Sequence, residues 1–99
     1  MEIKVKIKLK GKKEIEEIAK ANSGADWMVL PPNIVEKIKP KKIASKVKAI
    51  GIGGKLIESP LYEVKIEVED PKSKLKRSCK AKAIVAEIGT VLLSHEGNE

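Results

Sequence analysis

Residues 2–10 alternate without interruption. Ile3, Val5, Ile7 and Leu9 fall on one side of an extended chain, and Glu2, Lys4, Lys6, Lys8 and Lys10 on the other. A period of two is sorted into a dry face and a wet face only by a strand, because a helix would scatter the same residues around its axis. The pattern returns at Leu61–Asp70, where Tyr62, Val64, Ile66 and Val68 oppose Glu63, Lys65, Glu67 and Glu69. Residues 74–83 set Lys74, Lys76, Ser78, Lys80 and Lys82 on one face. Ala83–Ala86 reads as a buried strand and Val91–Leu93 as a short apolar one. Turn chemistry separates these runs at Gly11-Lys12, Asp70-Pro71-Lys72-Ser73 and Gly89-Thr90. The expectation is one all-β domain over residues 1–99, a barrel or sandwich, with at most one short helix.

Two segments resist this reading. In residues 13–21, Ile15, Ile18 and Ala19 have helical spacing, so the pattern alone leans to helix. A hairpin partner for the first strand would instead have to alternate. Pro31-Pro32 stops any regular element, and Asn33 is placed to cap a single turn over Ile34–Ile38. Lys39-Pro40-Lys41-Lys42 is read as a basic turn. Residues 43–50 then run into Gly51-Ile52-Gly53-Gly54, the glycine-dense apex expected of a long hairpin.

The chain carries 21 basic against 14 acidic side chains, a net charge of +7. That balance attracts anions, but a dedicated nucleic-acid surface uses arginine forks and aromatic stacking. Here there is one arginine, one tryptophan, one tyrosine and no phenylalanine. The abundance of Lys and Glu is also that of hyperthermophile proteins, whose surfaces are solvated charge networks. A single cysteine, Cys79, forms no intrachain disulfide and fits a reducing, cytoplasmic setting. No apolar run approaches a membrane span, and no secretory signal is read. His95 is the only histidine, and no His, Cys and carboxylate cluster has zinc-like spacing, so no metal or organic cofactor is expected. Cys79 is read as a small buried hydrophobe and Trp27 first as packing.

Running on from the ambiguous segment 13–21 is Ala21-Asn22-Ser23-Gly24-Ala25-Asp26-Trp27-Met28-Val29-Leu30-Pro31. Asn-Ser-Gly alone suits an ordinary turn. With Ala25-Asp26, Val29-Leu30, the glycine apex and Val91-Leu92-Leu93 following in order, the whole chain resembles a retropepsin, the single-domain aspartic protease type of retroviruses and of archaeal and bacterial relatives. The resemblance implies a closed β-barrel with a flap hairpin and a homodimer that builds one active site across its two-fold axis. It implies endopeptidase chemistry on a peptide or protein substrate, with two carboxylates sharing one proton to activate water.

Carried over by position, Asn22 stands where the family has its catalytic aspartate. Ser23 would tie the two loops together across the dimer, and Gly24 would let the substrate backbone approach. Ala25, Asp26 and Trp27 would line the substrate, Asp26 meeting its amides. Ile50, Gly51, Ile52, Gly53 and Gly54 would form the flap that closes over the peptide. Three departures stand out. Asn22 is neutral and takes no proton from water, so the chain as written is expected to be inactive. The sequence does not separate a natural pseudoenzyme from an introduced change. Ser94 replaces a glycine, and after Leu93 the retroviral members continue with a helix and a dimer-forming strand. Two other readings stay open: a non-catalytic module that captures an extended peptide by strand addition, and a basic β-barrel that binds nucleic acid through the Lys74–Lys82 face.

Overall fold

A computed structural model describes residues 3–22, 27–50, 55–69, 73–88 and 91–94. Within these, the chain is all-β with one short helix. The strands are β1 (Ile3–Lys10), β2 (Glu14–Asn22), β3 (Met28–Leu30), β4 (Lys41–Ile50), β5 (Leu56–Glu69), β6 (Lys76–Val85) and β7 (Val91–Ser94), and α1 (Pro32–Ile38) follows β3. The alternation of β1 is realised directly: Ile7 and Leu9 are buried, while Lys4, Lys6 and Lys10 are exposed.

Residues 13–21 correct the helical leaning. They form β2, antiparallel to β1, with Leu9 opposite Ile15 and Val5 opposite Ala19. Cross-strand burial of Ile15 and Ala19 decided the conformation. Ile18, which completed the helical pattern, is 57% exposed on the other face.

All seven strands belong to one sheet, ordered β1-β2-β7-β3-β6-β5-β4. The last strand is therefore inserted between two consecutive ones. β7 runs parallel to β2, with Ala19 opposite Val91 and Asn22 opposite Ser94, and meets β3 at Val29↔Leu92. β1 also pairs with β5 from Ile7↔Val68 to Lys10↔Lys65, so the sheet folds back on itself. The expected closed barrel is nevertheless corrected. β3, only three residues long, shares a single described residue pair with β7, and among the described residues β4 has β5 as its one partner, which leaves the sheet an open edge there.

Met28, Val29 and Leu30 are all fully buried, because β3 has a core on each side. Met28 and Leu30 enter the larger cluster with Ile7, Leu9, Ile34, Ile38, Val64 and Ile66. Val29 points the other way, into a smaller cluster with Ala49, Leu61 and Ile84.

α1 starts with Pro32 in its first turn, where a missing N–H costs nothing. Pro31 is the N-cap and no side chain caps the helix, which corrects the role expected of Asn33. At the other end Lys39 is left-handed (φ 50°) and its N–H returns to Val35 O at 2.9 Å. The β1–β2 turn supplies further partners: the Lys13 and Lys12 N–H groups donate to the carbonyls of Ile38 (3.1 Å) and Lys39 (3.3 Å). This docking leaves no room at Gly11, where a Cβ would lie 2.8 Å from Pro40 Cα and would also strike the Ile38 carbonyl. Gly11→Ala is expected to cost about 1–3 kcal/mol, read as a lower urea midpoint at constant m.

Pro60 interrupts β5 without loss. It lies where the β4–β5 register shifts between Ala44↔Leu61 and Val47↔Ser59, so no ladder N–H is required of it. On the β6 side the buried Ser59 hydroxyl takes over, accepting from the Val85 N–H at 2.8 Å and donating to Pro60 O at 2.7 Å. Ser59→Ala would orphan a backbone donor. The expected cost is about 1–3 kcal/mol, measurable in the same denaturant titration.

Candidate functional site

The site expected from the sequence involves two chain segments, and the described residues reach the edge of both. Asn22 is the last residue of β2, and its backbone is in register with Ser94 at the end of β7. Ser23, Gly24, Ala25 and Asp26 lie outside the described residues, as do Gly51, Ile52, Gly53 and Gly54. Trp27, next after the first segment, is half-buried. Ile50, just before the second, ends β4 opposite Leu56.

The described flanks of both segments meet in one piece of the interior. Trp27 packs against the smaller cluster, and so do Val47 and Ile57 from the two arms of the β4–β5 hairpin, with Ala49 among its fully buried members. The hairpin is thus rooted on β3 beside Trp27. The chain enters 51–54 only two residues beyond Ala49, and it leaves 23–26 directly into Trp27. At the hairpin end, Ile50 and Leu56 form a cross-strand pair, and both are exposed (45% and 69%). A directly opposed apolar pair facing solvent has a cost unless something covers it.

Chemically, Asn22 brings an amide, a donor and acceptor that neither holds nor releases a proton in water's range. Among the described residues no group of three or more His, Cys, Asp or Glu side chains is placed to hold a metal ion. Cys79 is a free thiol, half-buried against the larger cluster opposite Ile66, which agrees with a packing role. No described helix is long and apolar enough to cross a membrane.

The Lys74–Lys82 face is largely answered by β5. Glu63 stands opposite Lys82 and Glu69 opposite Lys76, and the carboxylate of Glu67 is 3.7 Å from Lys76 Nζ. The sequence reading missed a different basic feature. Lysines from the end of β1, the β1–β2 turn, the residues after α1, the start of β4 and the middle of β5 meet around one groove. Local patterning marked Lys39-Pro40-Lys41-Lys42 as a basic turn, but only the fold brings Lys10, Lys12 and Lys65 beside it.

No family model and no curated protein sequence matches this chain.

Proposed function

We propose that this chain is an aspartic endopeptidase homologue of the retropepsin type, working as a homodimer on extended peptides, with its catalysis silenced at Asn22. The observation that carries the reading is the shared root of the two segments. The motif that begins at Asn22 runs into Trp27, the hairpin apex follows Ala49, and Trp27 and Ala49 meet in one cluster. Two chain segments whose described flanks are anchored on one small core suit a cleft that closes on a substrate. The insertion of β7 between β2 and β3 supports it too, since it gives Asn22 a strand on which to be held.

In this reading, aspartate at position 22 restores the missing proton carrier, one from each protomer. The test is peptide cleavage by the Asn22→Asp variant beside the unaltered chain, with the mass of each in solution measured by sedimentation. Cleavage that is blocked by pepstatin-type transition-state mimics and appears only in the dimeric aspartate form supports the assignment. A dimeric aspartate form without cleavage removes it.

The exposed Ile50 and Leu56 favour a second reading, in which the hairpin holds peptides with no chemistry to follow. That module would bind an extended peptide equally well with Asn or Asp at position 22.

A further inference from the structure

Three lysines stand in a row across three neighbouring strands. Lys10 is opposite Lys65 on β1–β5, and Lys65 is opposite Lys80 on β5–β6. Strands lie about 5 Å apart, so the three share one face at close quarters, and directly opposed like charges cost stability. Elsewhere on this face the sheet offsets its lysines, Lys8 and Lys76 lying 4.0 and 3.7 Å from Glu67. Within the row, Lys80 is 3.9 Å from Glu63, and Glu14 stands opposite Lys10 on β2. Lys10 and Lys65 have no carboxylate within 4.0 Å among the described residues.

A groove of about 580 Å³ opens at this point, between the β1–β2 turn and the start of β4. Lys10, Lys12, Lys39, Lys41, Lys42 and Lys65 line it, and Glu63 is the only carboxylate on its walls among the described residues. A surface that merely keeps a protein dissolved intersperses its signs, as the rest of this face does. The groove instead concentrates one sign.

Its chemistry selects the occupant. Every described cation in it is a lysine, a point charge without the planar fork that fixes carboxylate or phosphate geometry, so the groove reads charge rather than shape. No aromatic side chain lines it, so unpaired bases would find nothing to stack on. What remains is attraction to charge density. Duplex nucleic acid carries about one charge per 1.7 Å of axis when both strands, whose fields add at the groove, are counted, whereas an extended acidic peptide offers at most one per ~3.3 Å. We propose that this groove binds the phosphate backbone of double-stranded nucleic acid without sequence preference. The proposal is independent of the peptidase reading.

The test is fluorescence anisotropy of a labelled 20-base-pair DNA duplex titrated with the full chain at 50–200 mM salt. Micromolar affinity at 50 mM is expected, with log affinity falling about 0.9 per phosphate contact for each tenfold rise in salt. Lys10→Gln/Lys41→Gln/Lys65→Gln should weaken binding at least tenfold and flatten the salt slope by about 3. The equal-charge control Lys46→Gln/Lys48→Gln/Lys55→Gln, toward the far end of the hairpin, should weaken it less than threefold. Equal losses in the two triples would overturn the proposal in favour of bulk charge. So would absence of binding at 50 mM, or tighter binding of a glutamate-rich peptide than of the duplex. Acetylation footprinting on the unaltered chain gives a readout free of any folding defect: the duplex should protect Lys10, Lys41 and Lys65 over Lys46 and Lys48, and uniform protection counts against the groove.

Discussion

Asn22→Asp is expected to raise peptide cleavage by at least about 10²-fold over the unaltered chain. Positioned acid–base catalysis is worth about 10²–10⁴, and in the proposed homodimer the amide at this position would remove that contribution from both protomers at once. The pH dependence should be bell-shaped. Two carboxyls held close to each other cannot both ionise, so one titrates below its ordinary value and its partner above it. Activity requires the singly protonated pair. It should fall in acid as the second proton is taken up, and fall again as pH rises through the raised value. Stability follows the raised member: a carboxyl whose folded pKa exceeds its unfolded one favours the folded dimer at low pH, and that advantage is lost as pH rises through the folded value. The aspartate dimer should therefore dissociate more readily at pH 8 than at pH 5, while the asparagine dimer responds less. Sedimentation at the two pH values checks this, and a larger response in the asparagine form would defeat the dyad.

Leu30→Ala should produce the largest single loss of stability, about 2–5 kcal/mol, which lowers Tm by about 10 °C or more in a domain of this size. Leu30 is fully buried at the centre of the larger cluster, beneath α1, and its carbonyl accepts the Ala86 N–H at 3.1 Å. The cavity cannot be filled cheaply, because rigid strands and the helix bound it. Met28→Leu, on the same face but conserving volume, should cost less than about 1.5 kcal/mol. Val29→Ala tests the other side of β3. It empties part of the cluster that supports Trp27, so it should shift the emission of the single tryptophan in the folded state. Leu30→Ala should leave that emission unchanged until unfolding.

Strand chemistry was legible where one face met water. The alternation in β1 and β5 named Ile7, Leu9, Val64 and Ile66 as interior, and they are. The same logic failed for β2, whose exposed Ile18 imitated a helical stripe. Only the partner strand shows that Ile15 and Ala19 alone face inward. The one short helix was anticipated, but not its capping. At its start the Ile34 and Val35 N–H groups go to the Pro31 carbonyl rather than to Asn33, and the β1–β2 turn donates to the carbonyls at its other end. Barrel closure was an inference from resemblance, and the single pairing between β3 and β7 does not sustain it. Of the candidate site, Asn22, Trp27 and Ile50 are located, and the common root of the two segments could not be read from spacing. The lysine groove was hidden for a related reason, since Lys10, Lys39 and Lys65 become neighbours only through folding.

The position of β7 has a consequence for biosynthesis. Ala19 and Val91 are paired, although most of the described chain lies between them. Until the ribosome has added Val91–Ser94, β2 has no partner on one side, and Ala19 and Met28 lack the wall that Val91 gives their cluster. A nascent chain that stalls before this point has its β1–β2 and β4–β5–β6 ladders available but an unsealed interior. Contacts this distant in sequence close late and slowly, and incomplete chains with open strand edges are prone to associate with one another. Loss of these four residues should therefore be felt as failure to mature after synthesis, more than as a lower melting point of a finished molecule.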